Sequence, residues 1–125
     1  MNTKICGNAG EQKACDYLSK KGYELLQRNW RTKRGEIDII AKEGDEIVFI
    51  EVKTLPSGNL ETLSHLLDKR KQKRIVETAK CFLERFRKYN SSYIRFDVII
   101  IDMPEFRSTD EFPDVYHIKS AFYES

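Results

Sequence analysis

The chain has 125 residues, which is enough for one compact domain and too few for two. Hydrophobic residues make up 40% and aromatic residues 11%, which predicts a packed core and excludes a disordered chain. The net charge of +2 is too small to indicate a nucleic-acid partner by itself. We therefore expect a single domain over residues 1–125, whose function depends on local patterns of residues.

The cysteines and the hydropathy pattern indicate the compartment. Cys6, Cys15 and Cys81 stand far apart, without the paired spacing of a zinc site. Their odd number and the lack of a signal-peptide pattern argue against a secreted disulfide scaffold. No apolar run approaches the roughly 20 residues of a membrane span. The sequence thus predicts a cytoplasmic protein with no membrane partner.

The first half of the chain predicts one helix and three strands. Apolar residues recur at roughly helical spacing from Ile5 to Lys21, and Gly22 is a typical helix end. Tyr23 to Trp30 is expected to form a strand. Glu36 to Ala41 and Glu46 to Val52 alternate polar with apolar residues, which predicts an antiparallel hairpin.

The second half predicts a helix and two further strands. A loop at Pro56 to Asn59 precedes a long helical stretch from about Glu61 to Lys88. Tyr93 to Ile101 is a strongly apolar strand, and a short strand is expected around Val115 to Ile118. A strand that follows a crossover helix can return parallel to the earlier ones. This order predicts an α/β fold with a mixed central sheet flanked by helices.

The hairpin turn sets which residues of its two strands lie opposite each other. If Gly44 and Asp45 form a two-residue turn, Asp38 lies opposite Glu51. Lys53 then lies on the same face, because strand side chains alternate. Ile40, Phe49 and Glu36 share this face, with Glu36 opposite Lys53. The other face is predicted to meet the core through Ile37, Ile39, Val48, Ile50 and Val52. A longer loop would shift this register by one residue.

The two facing carboxylates suggest a metal site. Like charges directly opposite each other repel, and a divalent cation removes that repulsion. Asp38 and Glu51 offer the hard oxygen ligands that Mg²⁺ or Mn²⁺ prefers, and Lys53 could reach a phosphate bound there. Such a set suits phosphodiester hydrolysis. Alternating charges are equally typical of a solvated sheet surface, and a pair of Glu36 with Lys53 would be a plain cross-strand ion pair.

Several segments resemble one known family. The hairpin segments, from Gly35 to Ala41 and from Ile47 to Lys53, resemble the signature of the YraN family. Shorter pieces match in the same order: Gly7 to Glu11, Arg28 to Trp30, Arg95 to Val98, and His117 with Ile118. That family is similar in fold and site to the PD-(D/E)XK nucleases, including archaeal Holliday-junction resolvases. The resemblance covers nearly the whole chain and implies a restriction-endonuclease-like αβββαβ core.

The resemblance also implies roles for particular residues. It places Asp38, Glu51 and Lys53 on the catalytic motif of the nucleases. It implies metal coordination by Asp38, Glu51 and the backbone carbonyl of Val52. Glu11 matches a first-helix glutamate that supports the metal, which we favour over the alternative of a solvated helix residue.

Two pairs of basic residues are candidates for nucleic-acid contacts. Lys71 and Arg74 lie on the helix after the hairpin, where a solvated helix face is the alternative. Arg31 and Arg34 lie in the basic segment before the hairpin. Leu55 departs from the family pattern, which has a basic residue two places after the motif lysine. This departure puts one phosphate contact in doubt, but not the metal ligands.

Three further side chains receive ordinary roles. Trp30 could stack on an unpaired base, but core packing is the favoured role for a single tryptophan. His65 and His117 lack the spacing of metal ligands, and we expect them on the surface or at a sheet edge.

Two functions remain open from the sequence. The favoured one is an Mg²⁺- or Mn²⁺-dependent endonuclease acting on DNA, with branched or structured DNA suggested only by analogy with resolvases. The other is a non-catalytic module that keeps the fold and binds nucleic acid or a protein partner. The sequence leaves open whether DNA or RNA is bound and whether the chain forms a homodimer.

Overall fold

The computed structural model describes residues 9–55, 67–90, 92–104 and 107–124. They form two α-helices, one short 3-10 helix and five strands. In chain order the elements are α1 (Ala9–Lys20), β1 (Glu24–Thr32), β2 (Gly35–Glu43), β3 (Glu46–Thr54), α2 (Lys69–Arg85), the 3-10 helix (Arg87–Tyr89), β4 (Tyr93–Ile101) and β5 (Val115–Phe122). The part of the first predicted helix before Ala9, the loop at 56–59 and His65 lie outside the described residues.

The five strands form one mixed sheet in the order β1-β2-β3-β4-β5. Strands β1, β2 and β3 are antiparallel neighbours, β4 runs parallel to β3, and β5 is antiparallel to β4. Helix α2 lies between β3 and β4 in the chain, as a parallel return requires. The predicted α/β class, with its αβββαβ order and flanking helices, is confirmed.

Both faces of the sheet are buried, each under one helix. Ala14 and Leu18 of α1 belong to a core cluster with Ile39 and Ile50. The opposite cluster joins α2 to the sheet through Ile75, Ala79 and Phe82 of the helix and Ile37, Ile40, Ile47 and Phe49 of the strands. The prediction that Ile37 shares a face with Ile39 is therefore wrong. Regular pairing of β2 with β3 ends at Ile39, and beyond it Ile37 packs in the cluster that contains Trp30.

Helix α2 begins later than predicted. Asp68 is its N-cap, with a carboxylate that accepts a hydrogen bond from the Lys71 backbone N–H at 2.9 Å. Leu67 and Asp68 are not helical, so one continuous helix from Glu61 is excluded. A cap at this position sets the start of the helix, because its side chain satisfies a backbone donor that has no partner within the helix.

The last strand is longer than predicted, reaching Phe122 instead of Ile118. Polar Lys119 and Ser120 interrupt its apolar pattern, and Ser120 takes a positive φ of 52°.

No helix within the described ranges is long and apolar enough to cross a membrane. Trp30 packs edge-on against Phe82, with ring centroids 5.4 Å apart, which agrees with the predicted core role.

Candidate active site

The hairpin of β2 and β3 has the register that its turn predicts. Gly44 takes a positive φ of 58° at the first central position, where a II′ turn favours glycine. The paired ladder runs from the turn as far as Ile39 opposite Ile50. The next residues, Asp38 and Glu51, therefore lie where regular pairing of the two strands ends.

Asp38 is a buried carboxyl group held by the neighbouring strand. Its Oδ2 accepts a hydrogen bond from the Val52 backbone N–H at 2.8 Å. Burial raises the pKa of Asp38, and the charge of Glu51 raises it further, whereas the Val52 hydrogen bond lowers it. The result is a pKa of about 7. Carboxyl groups with strongly raised pKa values in a cleft are frequent at functional sites.

Glu51 is bound by two lysines at the same oxygen. Its Oε1 lies 3.1 Å from the Nζ of Lys53, on the same strand, and 3.2 Å from the Nζ of Lys71. Lys71 belongs to the first turn of α2, directly after the Asp68 cap. Burial and the nearby Lys53 lower the pKa of Lys71. A carboxylate and two ammonium groups therefore share one small volume.

These side chains line an open cavity of about 540 Å³. Residues from both helices and from two strands form its wall: Glu11, Gly35, Glu36, Asp38, Glu51, Val52, Lys53, Lys71, Arg74 and Ile75. Gly35 lets α2 approach, since a Cβ there would lie 3.2 Å from the Thr78 Oγ1. Residues that are distant in sequence thus meet at one end of the sheet.

Burial distinguishes this cavity from an ordinary sheet surface. Asp38 and Glu51 are each 8% exposed and Glu11 is 9% exposed, so the solvated-surface alternatives do not hold for them. The cross-strand pair of Glu36 with Lys53 does not form. Lys53 binds Glu51, and Glu36 is exposed.

The four basic candidates fall in two places. Lys71 and Arg74 line the cavity, but Arg31 and Arg34 do not. The Arg31 Nε lies 2.6 Å from the Glu36 Oε2, and an Arg34 nitrogen lies 3.6 Å from a Glu77 oxygen. Both arginines of the β1–β2 segment are thus exposed and engaged in surface ion pairs.

The donor set of the cavity fits a hard divalent cation. Asp38, Glu51 and Glu11 supply carboxylates, and Val52 lies on the same wall. Burial first and the charge of Glu51 second raise the pKa of Asp38, and a bound cation would favour its ionised form. No three His, Cys, Asp or Glu side chains of the described ranges already converge as a metal site. The positive charge beside Glu51 is instead supplied by Lys53 and Lys71.

A second polar cluster surrounds Asp97 of β4 and was not predicted. Asp97 is fully buried and accepts two hydrogen bonds from the Arg95 guanidinium, each at 2.9 Å. The His117 Nε2 lies 2.6 Å from the Asp97 Oδ2, and its Nδ1 lies 3.0 Å from the Tyr17 hydroxyl. His117 does lie on an edge strand, but its side chain is only 4% exposed. The sequence signal was Arg95 and Asp97 alternating within an otherwise apolar strand.

Comparison with known proteins shows a family that covers the site. A family model described as Uncharacterised protein family UPF0102 matches residues 10–101. A UPF0102 protein of Treponema pallidum is 47% identical over 121 residues, which cover 97% of this chain and 94% of the relative. One of Caldicellulosiruptor saccharolyticus is 44% identical over 122 residues, covering 98% and 100%. The matched range includes every residue of the cavity wall.

Proposed function

The chain belongs to the uncharacterised protein family UPF0102, and from its cavity we propose that it is a metal-dependent nuclease that hydrolyses phosphodiester bonds in DNA. One observation carries this proposal. Two buried carboxylates, Asp38 and Glu51, share an open cavity with two lysines, Lys53 and Lys71. A purely acidic cavity would repel a phosphate, and a purely basic one would have no ligands for a metal. A cavity with both suits a phosphodiester and a cation together.

In this proposal the carboxylates act as the metal ligands. Asp38 and Glu51 would hold Mg²⁺ or Mn²⁺, with Glu11 and the Val52 backbone carbonyl as further oxygen donors. When bound, the ion would lower the pKa of a water molecule and neutralise charge on the phosphate. The backbone N–H of Val52, on β3, holds the Asp38 carboxylate of β2 in place. This ligand therefore does not have to be ordered when the ion binds.

The basic residues would act on the phosphates. Lys53 would donate to an oxygen of the scissile phosphate, where negative charge grows as water attacks. Arg74 is exposed on the cavity wall and forms no ion pair with any described residue. Its guanidinium is therefore available for a flanking phosphate. Cys15 and Cys81 are free thiols, which supports action in a reducing compartment such as the cytoplasm.

A non-catalytic module that binds nucleic acid or a protein partner is the second candidate. Leu55 favours it, because its side chain packs against the cluster of Val98, Ile100 and Met103. A basic side chain at this position would have to leave that contact in order to reach a phosphate. The module would keep the lysines and Arg74 as an anion-binding surface and would need no metal.

A cleavage screen separates the two candidates. Purified protein is incubated with Mg²⁺ or Mn²⁺ and with linear, nicked, flapped and four-way DNA, and with RNA of matching form. We expect metal-dependent cleavage of at least one substrate, abolished by Glu51→Gln. Glu77→Gln is the matched control, since it removes a carboxylate from α2 outside the cavity. Metal-independent binding of these substrates with no cleavage of any of them would favour the binding module.

A further inference from the structure

Lys53 and Lys71 compete with a metal ion for the negative charge of Glu51. Both ammonium groups lie within 3.2 Å of its Oε1 and neutralise the charge that would attract a cation. A divalent ion placed beside this carboxylate would also meet the repulsion of two positive charges. Metal binding should therefore be stronger when at least one lysine leaves Glu51.

A phosphate in the cavity offers the lysines another partner. Lys53 and Lys71 both line the open cavity, with side chains that are 22% and 30% exposed. Two ammonium groups on one oxygen repel each other, whereas a phosphodiester group presents separate oxygens to each. The phosphates of a nucleic acid can thus bind the two lysines in place of Glu51. The Glu51 carboxylate is then available to bind a metal ion together with Asp38.

Resting on the proposed nuclease function, we propose that Lys71 is a positioning residue that holds Glu51 until a nucleic-acid phosphate releases it, so that metal and nucleic acid bind with positive coupling. Lys71 is suited to this role because it comes from α2, whereas Lys53 belongs to the same strand as Glu51. Coupling of this kind is reciprocal: nucleic acid raises the affinity for the metal by the factor by which the metal raises the affinity for nucleic acid. The metal site is then strongest when a nucleic acid is bound.

The test measures metal binding at equilibrium and does not depend on turnover. Free Mn²⁺ is counted by electron paramagnetic resonance during titration of the protein, with and without a short DNA duplex of phosphorothioate linkages. For the wild type we expect the duplex to lower the Kd for Mn²⁺ by about ten-fold. In Lys71→Met, Mn²⁺ should bind more tightly without the duplex, and the effect of the duplex should fall to about two-fold.

Two further variants identify the cause. Lys73→Met removes the same charge from an exposed site outside the cavity, two residues along α2, and should behave as the wild type. Lys71→Arg keeps the charge and should retain most of the coupling. Thermal unfolding of each variant confirms that it is folded.

The possible failures are distinguishable. Coupling that is the same in Lys71→Met and the wild type, or no coupling in a wild type that binds Mn²⁺, overturns the inference and leaves the nuclease proposal standing. A wild type that binds no Mn²⁺ with or without the duplex overturns the metal site of the proposed function, and the inference with it.

Discussion

Asp38 and Glu51 lie where the β2–β3 ladder ends, and the charge of Glu51 adds to burial in raising the pKa of Asp38 to about 7. Near neutral pH the pair therefore has a strong tendency to bind a positive charge. A proton on Asp38, a lysine ammonium group or a divalent ion can each supply this positive charge. This competition between positive charges links the stability, the metal affinity and the proposed chemistry of the site.

The first prediction concerns metal and stability. Mn²⁺ or Mg²⁺ that binds only the folded state should stabilise the wild type by about 2.7 kcal/mol at a hundred times Kd. This corresponds to a rise of several degrees in melting temperature for a domain of this size. Glu51→Gln should abolish the rise, and EDTA should reverse it in the wild type. Thermal unfolding with and without a short DNA duplex measures both effects, and an unchanged transition in every condition would contradict the metal site.

The second prediction concerns the pH dependence of Asp38. Its folded pKa is raised above its ordinary value of 3.8, so the folded state binds the proton more tightly than the unfolded state. The ionised carboxyl thus costs stability progressively as pH rises from about 4 to 7. Asp38→Asn should be more stable than the wild type by at least about 1 kcal/mol at pH 8, and nearly equal to it at pH 4.

Urea unfolding across this pH range measures the difference in free energy between Asp38→Asn and the wild type. Asp45→Asn, in the exposed hairpin turn, controls for the loss of a carboxylate. A constant difference in free energy for Asp38→Asn across the whole range would show that the pKa of Asp38 is not raised in the folded state.

The third prediction separates the role of Lys53 from that of a phosphate anchor. Lys53→Ala should lose cleavage by at least a hundred-fold, or about 3 kcal/mol, because its contact strengthens as charge develops on the phosphate. Binding of DNA should weaken by only a small factor, since one phosphate contact among several contributes little. Parallel measurements of single-turnover cleavage and of Kd test this. Equal losses in the two would assign Lys53 to binding alone.

The fourth prediction concerns Arg74. Arg74→Gln should weaken DNA binding on all sequences alike and reduce the slope of log Kd against log salt by about one. Arg34→Gln is the matched control, because Arg34 is exposed, lies off the cavity and pairs with Glu77. Titrations at several salt concentrations give both slopes. An equal effect of the two substitutions would indicate a diffuse basic surface instead of a defined phosphate contact.

The fifth prediction concerns the cluster around Asp97. Burial tends to raise the pKa of Asp97, but hydrogen bonds from His117, Arg95 and the Ser120 N–H lower it below its ordinary value. Its contribution to stability is therefore complete at neutral pH and is lost as pH falls through the lowered folded pKa. Asp97→Ala should cost about 3 kcal/mol at pH 7, because Arg95 and His117 lose their buried partner. Denaturant unfolding should show this cost shrinking below about pH 4.

The sequence by itself determined the local geometry of the hairpin. The Gly44-Asp45 turn favours one register, and the structure has that register from the turn as far as Ile39 opposite Ile50. The mixed sheet followed from the order of the elements, because a crossover helix allows a parallel return. These features depend on residues that are close in the chain, which is why patterns of neighbours predict them.

Only the tertiary structure decided which charged side chains contact one another. The packing of α2 buries Ile40 and Phe49, and the Asp68 cap starts that helix where Lys71 reaches Glu51. The same packing brings Arg74 to the cavity, while Arg34 pairs with Glu77 outside it. His117 is buried because Asp97 and Tyr17, distant in sequence, converge on its two ring nitrogens. Such contacts depend on where a helix or strand packs, and this is determined by the whole core and not by any local pattern.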